Sequence, residues 1–139
     1  MNIRGAFLAM VEAQNAHYDQ INISFETGIH PLFDPYLDAI KSEPTGQLIE
    51  YLSTSMPTVE HVSYIWTFHD AKGLVRLLPD TDFLDRGYFA FAEADSNLAG
   101  ISLKDGKVYS SVCSDGLEFE ANSIVDFIGV SRERWLNDT

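Results

Sequence analysis

The sequence predicts an α+β fold in which helices pack on one side of an antiparallel meander sheet. Apolar residues recur mainly at helix spacing before residue 57. Later in the chain, Asp-Gly pairs at 105–106 and 115–116 lie between alternating apolar runs, which is typical of β-hairpin turns. No repeat or linker-like segment divides the 139 residues, a length that can bury its own core. We therefore expect a single domain, residues 1–139.

The first predicted helix lies near the amino terminus. Its apolar stripe consists of Phe7, Leu8, Val11 and Tyr18, with Met10 beside it. The run from Gly5 to Val11 imitates the apolar core of a signal peptide, but Glu12 ends it after seven residues. We therefore expect an amphipathic helix there. No run in the chain approaches the length of a membrane span.

Two short helices are predicted next, one ending before Pro44 and one before Pro57. Asp34 followed by Pro35 is typical of a helix start, because the aspartate can accept a cap hydrogen bond and proline suits the first helical position. Thr45 is the predicted cap of the second helix. The residues expected to face the core are Tyr36, Leu37, Ile40, Leu48, Ile49 and Leu52.

The apolar period then changes to two. Val62, Tyr64, Trp66 and Phe68 alternate with Ser63, Ile65 and Thr67. This pattern predicts one strand with its Val62-to-Phe68 face buried. Residues 69–73 predict a hairpin loop into a second strand at 74–78, although the sequence LVRLL there also fits a helical turn.

Residues 87–120 predict the meander. A two-residue turn at 105–106 would pair Leu103 with Val108 and Ile101 with Ser110, and the turn at 115–116 would pair Val112 with Phe119. Both registers predict the same two faces. The predicted inner face carries Ile101, Leu103, Val108, Val112, Leu117 and Phe119. The predicted outer face carries Ser102, Lys104, Lys107, Tyr109, Ser111, Cys113, Glu118 and Glu120.

A closing helix is predicted to begin at the capping box of residues 123–126. Its apolar stripe consists of Ile124, Phe127, Ile128 and Trp135. We expect this stripe to pack across the apolar face of the meander.

The charge of the chain indicates the class of partner. There are 21 Asp and Glu residues against nine Lys and Arg, a formal charge of −12. Such a field repels nucleic acid and anionic membranes and attracts a cationic partner. Cys113 is the only cysteine, so no internal disulfide forms, which fits a reducing cytoplasm. We expect a cytoplasmic protein without a cofactor that binds neither nucleic acid nor membrane.

Motifs for catalysis are scarce. The GxSxG nucleophile elbow and the phosphate-binding loops are absent. The four histidines lack the spacing of a metal site: His17, His30, His61 and His69. The pair His69-Asp70 looks like part of a metal phosphohydrolase motif, without its further ligands. Asp80, Asp82 and Asp85 form a dense acidic loop, but their spacing is not that of an EF-hand, so a solvated loop is favoured.

The carboxy-terminal half resembles the SUKH superfamily, the cell-wall-assembly-regulator-like proteins. In residues 87–128, Phe89, Phe91 and Ala92 match the first strand of the family pattern. The segment 105–109, Asp-Gly-Lys-Val-Tyr, matches its middle signature. Residues 121–124 with Phe127 match the last element. The resemblance implies a non-enzymatic function, since many bacterial members look like immunity proteins that bind and block a cognate toxin, often a nuclease.

The leading hypothesis is therefore an immunity protein that binds a cationic toxin domain. The candidate partner-binding residues are Asp80, Asp82, Asp85, Asp95, Asp115, Glu118 and Glu120. Tyr109 and Trp66 are candidate aromatic anchors, with core packing as the competing interpretation. The alternative is a small-ligand or metal-dependent enzyme or binding module, with a pocket where His69, Asp70 and the Asp80–Asp85 loop converge. An unpaired edge strand could also dimerise, which the charged outer face opposes.

Overall fold

The computed structural model describes residues 1–18, 20–80, 82–111 and 116–138, with only the backbone at Asp80. Within these ranges it has five α-helices: α1 (Ile3–Asn15), α2 (Leu37–Ser42), α3 (Gln47–Glu50), α4 (Ala71–Leu77) and α5 (Ile124–Asp138). Pro31–Tyr36 and Leu78–Asp80 form 3-10 turns, and Tyr51–Ser55 forms a π-helical turn. The strands are β1 (His61–Ser63), β2 (Trp66–Phe68), β3 (Tyr88–Ala94), β4 (Asn97–Ser102), β5 (Val108–Ser110) and β6 (Glu118–Ala121).

The predicted α+β class is confirmed. The strands form one sheet in the order β1-β2-β3-β4-β5-β6, and every neighbouring pair is antiparallel. Phe127 of α5 packs on the inner face against Trp66, Phe68 and Phe91, at ring-centroid distances of 5.4, 6.3 and 5.5 Å. The prediction that the closing helix crosses the apolar face is therefore confirmed, and Ser123 Oγ caps it by accepting from Asp126 N at 3.0 Å.

Helix α1 lies beside α5 and is only partly as predicted. Asn2 caps it by accepting from Gly5 N at 2.7 Å, and its buried side includes Ile3, Phe7 and Met10. Leu8 is 50% exposed, because it lies one position off this stripe. The predicted place of Tyr18 is also wrong, since the helix ends at Asn15.

The two predicted helix starts after α1 are wrong. Asp34 and Pro35 lie inside a 3-10 turn that His30 caps, with Nδ1 accepting from Leu32 N at 3.1 Å. At α3, Thr45 is not the cap. The buried side chain of Glu43 instead accepts a hydrogen bond from the helix amide of Leu48, at 3.2 Å. The residues of this region that are fully buried as predicted are Ile40, Leu48 and Leu52, whereas Ile49 is exposed.

The predicted strand from residue 62 is in fact a hairpin. Tyr64, at φ +60°, and Ile65 form the turn between β1 and β2. The two-residue turn pairs Ser63 with Trp66, so the buried positions change from odd numbers in β1 to even numbers in β2. The apolar residues of the sequence continue at even numbers through the turn, so the pattern could not reveal it. The reversal leaves Trp66 and Phe68 buried as predicted but exposes Val62 on the outer face.

The predicted second strand at 74–78 is wrong. The helical interpretation of this segment is confirmed as far as Leu77, because residues 71–77 form α4. Asp70 caps α4 by accepting from Gly73 N at 2.9 Å. This bond satisfies one of the backbone amides of the first helical turn, which have no partner within the helix. In the predicted hairpin loop the Asp70 side chain would have no such amide to bind.

The meander is confirmed, with a shifted first register. Ile101 pairs with Val108 rather than Ser110, because Ser102 N donates to Lys107 O and the loop comprises residues 103–106. A shift of two residues keeps the faces, so Ile101 and Val108 are both buried as predicted.

The second predicted register is wrong where it can be compared. Phe119 pairs with Tyr109 and points to the outer face, since a bulge between Val108 and Tyr109 changes the alternation of β6. Val112, the predicted partner of Phe119, and Cys113 lie outside the described residues. Among the helices of the described chain, none is long and apolar enough to cross a bilayer.

Tyr51 offers a stability test inside the core. Its ring is fully buried, burial raises the pKa of its hydroxyl far above the usual value, and no described group hydrogen-bonds that hydroxyl. We expect Tyr51→Phe to raise the free energy of unfolding by about 1 kcal/mol, because it removes the cost of a buried hydroxyl without a partner. Urea denaturation measures this. Tyr109→Phe is the matched control and should give no gain, since the Tyr109 hydroxyl donates to Asp105 Oδ2 at 3.0 Å.

His61 makes the fold sensitive to mild acid. Its ring packs edge-on to Phe7 at 6.2 Å, and burial lowers its pKa. Below about pH 6.5 the unfolded chain binds a proton that the folded chain does not, so stability falls with decreasing pH, by at most about 1.4 kcal/mol per pH unit. Urea unfolding between pH 7.5 and 5.5 should show this slope, and His61→Gln should reduce it. The exposed His17 is the control: an equal reduction in His17→Gln would refute the assignment.

Candidate protein-binding surface

The predicted acidic residues do not form one cluster. Asp82 and Asp85 lie exposed in the turn before β3, and Asp95 lies exposed in the turn after it. Seven residues of strand separate the two turns, a span of about 23 Å at the usual rise per residue. Glu118 and Glu120 lie on β6, while Asp80 is described only by its backbone and Asp115 lies outside the described residues. The predicted set is therefore distributed over two distant turns and an edge strand.

Two of the three turn aspartates, Asp82 and Asp95, have a local structural role to weigh against binding. Asp95 adopts φ +54°, in the left-handed region that aspartate tolerates better than most residues, and Ala94 pairs with Asn97 across this tight turn. The backbone carbonyl of Asp82 accepts from Arg86 N at 3.1 Å and helps close the turn before β3. Strand β6 is therefore a stronger candidate for a partner-binding surface than either turn.

A line of aromatic rings crosses the outer face of the sheet toward β6. Its members, the aromatic row, are Phe83, Tyr88, Tyr109 and Phe119, with successive ring centroids 5.2, 5.5 and 5.8 Å apart. Exposure increases along it, from buried Phe83 through half-buried tyrosines to Phe119, which is 51% exposed. The aromatic row thus presents its last ring to solvent while its first is fixed in the structure.

Gly100 makes room for the buried end of this row. A Cβ atom added at Gly100 would collide with the ring of Phe83 and lie 2.7 Å from the backbone oxygen of Phe89. Glycine is the only residue that lets Phe83 approach the β4 backbone so closely. Phe83 in turn stacks on Tyr88, with an angle of 28° between the ring planes. The exposed ring of Phe119 therefore lies at the end of a series of packed rings whose first member, Phe83, is buried.

Asp105 fixes the middle of the aromatic row. Its Oδ2 accepts from the Tyr109 hydroxyl at 3.0 Å, and its Oδ1 accepts from Lys107 N at 2.9 Å. Burial acts to raise the pKa of Asp105, but these hydrogen bonds outweigh it and hold the pKa below its usual value. The same bond raises the pKa of Tyr109. The carboxylate therefore stays ionised and fixes the orientation of the Tyr109 ring.

Two glutamates flank Phe119 on β6. Burial is the main cause that raises the pKa of Glu120, repulsion by Glu118 raises it further, and Arg134 on α5 offsets part of the rise. The negative charge of Glu118 thus lies close enough to disfavour the charged form of Glu120. A cationic side chain brought between them would relieve this repulsion.

Only part of this surface follows from the sequence. Tyr109 lies on its predicted outer face, whereas Glu118 pairs with Ser110 and points to the face opposite Phe119, so its predicted face is wrong. Phe83, Tyr88 and Phe119 were missed. The glycine at position 100, on the outer face of β4, was the available signal that a ring could pack there. Trp66, the other anchor candidate, is buried against Phe127, so the interpretation as an exposed anchor is wrong.

The alternative site near His69 exists as an open cleft of about 490 Å³. Its lining includes Glu60, His69, Asp70, Lys72, Arg76 and Glu93. Asp82 and Asp85 do not line it, so the predicted convergence with that loop is wrong for these two residues.

The geometry around His69 is that of a bridge between carboxylates. Nε2 lies 3.1 Å from Glu93 Oε1, and Nδ1 lies 3.7 Å from Glu60 Oε1. The two glutamates therefore approach opposite nitrogens of the ring, whereas a chelating set converges on one point. Among the described residues, no three His, Cys, Asp or Glu side chains are placed to hold a metal ion.

A second groove, of about 650 Å³, lies between α1 and α5. Small and apolar residues form its floor, among them Ala6, Ala9, Val125 and Gly129. Histidine, cysteine and serine are absent from its lining within the described chain. This groove therefore combines an apolar packing surface with charged side chains, among them Asp126, Arg132 and Glu133.

Comparison with known proteins assigns no family to this chain. A scan against protein-family models finds no match, and a search of curated proteins also finds none. The resemblance of residues 87–128 to the SUKH superfamily stays a prediction from their motif.

Proposed function

We propose that this protein is a non-enzymatic binding domain for a cationic protein, and that its partner is a toxin domain which it neutralises. The observation that carries the proposal is the exposed ring of Phe119 at the end of the aromatic row, flanked by Glu118 and Glu120. Binding energy at protein interfaces concentrates on a few aromatic and charged anchors. Phe119 supplies the apolar contact, and the glutamates select a basic partner.

The charge of the whole chain supports the same class of partner. A formal charge of −12 steers a basic domain toward the surface and accelerates association. Toxins that cleave nucleic acid need basic clefts for the phosphate backbone, so an acidic inhibitor complements them. The SUKH resemblance of residues 87–128 adds the immunity role and a cytoplasmic site of action to this proposal.

The test begins with the partner itself. The tagged protein is purified from its own host at low and at moderate salt, and each co-purifying protein is identified. We expect a basic protein whose toxic activity is abolished by one equivalent of this chain, with an association rate that falls as salt rises. A partner with no toxic activity, or one that this chain fails to inhibit, would refute the immunity role.

The cleft beside His69 is the competing site, favoured by its mixture of carboxylates with Lys72 and Arg76. Elemental analysis of the purified protein separates the two functions at low cost. Zinc or manganese retained at one equivalent, and lost in His69→Gln, would favour the cleft and a metal-dependent function. Under our proposal His69→Gln leaves inhibition of the partner unchanged.

A further inference from the structure

Strand β6 is the last strand of the sheet at the end that carries the exposed ring. On one side it pairs with β5, through Phe119 with Tyr109 and Glu118 with Ser110. On its other side the sheet of the described residues has no further strand. The edge of a sheet is a template on which an extended segment of another chain can pair.

At the opposite edge of the sheet, one backbone group of β1 is occupied by a side chain of α1. Gln14 of α1 donates from Nε2 to the backbone oxygen of Val62 in β1, at 2.8 Å. Gln14 is buried and Val62 is half exposed, so this bond anchors the edge of β1 to the core side of α1. A buried side chain thus uses a backbone acceptor of β1, which leaves β6 as the edge suited to strand addition.

The side chains of β6 determine which segment would fit. Glu118 pairs with Ser110 and Phe119 with Tyr109, so these two side chains point to opposite faces of the sheet. An added strand would therefore place one set of side chains beside Phe119 and the other beside Glu118. An apolar residue suits the exposed Phe119 ring. Lysine or arginine suits the mutually repelling carboxylates of Glu118 and Glu120. The matching sequence is an extended segment in which basic and apolar residues alternate.

We propose that the cationic partner binds by strand addition at β6, with such a segment extending the sheet as its next strand. This inference rests on the proposed function, because it takes a cationic protein partner as given and names how it docks. Backbone hydrogen bonds along 118–121 would supply much of the affinity, and the side chains on both faces the selectivity.

A second copy of the chain is a poor occupant of the same edge. Two β6 strands paired about a two-fold axis would bring Glu118 and Glu120 of both copies together. Like charges opposite one another destabilise a strand pair. The β6 edge thus disfavours pairing with β6 of a second copy and favours a segment of opposite charge.

The test uses the full chain and synthetic peptides. The probe is a nine-residue peptide of alternating lysine and valine, and one control has the same sequence with every backbone amide N-methylated. A second control alternates glutamate and valine. We expect the lysine–valine peptide to slow amide hydrogen exchange within residues 118–121 at least about tenfold at saturation, as new backbone hydrogen bonds form. The N-methylated peptide should bind at least about ten times more weakly, and the glutamate peptide should not bind.

The outcomes separate the docking mode from the function. If both lysine peptides bind equally and exchange at 118–121 is unchanged, strand addition is refuted while a preference for cationic partners stands. If neither lysine peptide binds in low salt, both are refuted for this surface. If exchange at 118–121 slows with protein concentration alone, a second copy occupies the edge and the inference is overturned.

Discussion

Replacing Phe91 by alanine is expected to lower the free energy of unfolding by about 3 to 5 kcal/mol. Phe91 is fully buried, and its ring lies 5.8 Å from Tyr51, 6.0 Å from Phe68 and 5.5 Å from Phe127. These partners belong to the helical layer, to β2 and to α5. Truncation therefore leaves a cavity where the elements of the core meet. Urea denaturation monitored by circular dichroism measures the loss.

Phe119→Ala is the matched control, because it makes the same chemical change on the same sheet. Phe119 is half exposed and packs edge-on against Tyr109 at a centroid distance of 5.8 Å, so its removal creates no internal cavity. We expect its cost in stability to stay below about 1 kcal/mol. Similar costs for the two variants would mean that the inner and outer faces of the meander are wrongly assigned.

The sequence predicts best those elements that two independent local signals indicate together. The capping box at 123–126 and the apolar stripe of α5 both indicate the same helix, which forms as predicted. In the meander, the Asp-Gly signal at 105–106 located the turn but not its length. The error did not disturb the core, since the two-residue shift keeps Ile101 and Val108 on the inner face.

The features that the sequence does not predict arise where a bulge or a tight turn interrupts the alternation of inward-facing and outward-facing side chains. A bulge at the β5–β6 pair turns Phe119 to the outer face, although its apolar side chain predicted the inner one. The turn at Tyr64 and Ile65 divides one alternating run into two strands without any glycine or proline as a signal. Such features depend on pairing partners that a single segment of sequence does not contain.

The candidate surface was harder to predict than the sheet beneath it. Acidic residues were recognised individually, but β3 separates Asp95 from Asp82 and Asp85. The aromatic row joins a turn residue, Phe83, to three strands, and only the fold brings these rings together. Surface composition therefore suggests only a class of partner, whereas a candidate surface for it follows from the tertiary structure.

Charge reversal on β6 is expected to give the largest loss of function. We expect Glu118→Lys with Glu120→Lys to weaken binding of the cationic partner at least about 100-fold, or about 2.7 kcal/mol. The double variant removes two attractions from the docking edge and places two repulsive charges there. Calorimetric titration at physiological salt measures the change, and an unchanged urea midpoint would show that the fold is retained.

Asp82→Lys with Asp85→Lys is the control that separates contact from steering. It changes the formal charge by the same amount, at exposed positions in the turn before β3. Long-range attraction depends on the summed charge, so this variant should slow association a few-fold and leave dissociation unchanged. Contact at β6 predicts that the glutamate variant mainly accelerates dissociation. Equal effects of the two variants would mean that net charge alone attracts the partner, and a larger effect at Asp82 and Asp85 would move the interface to that turn.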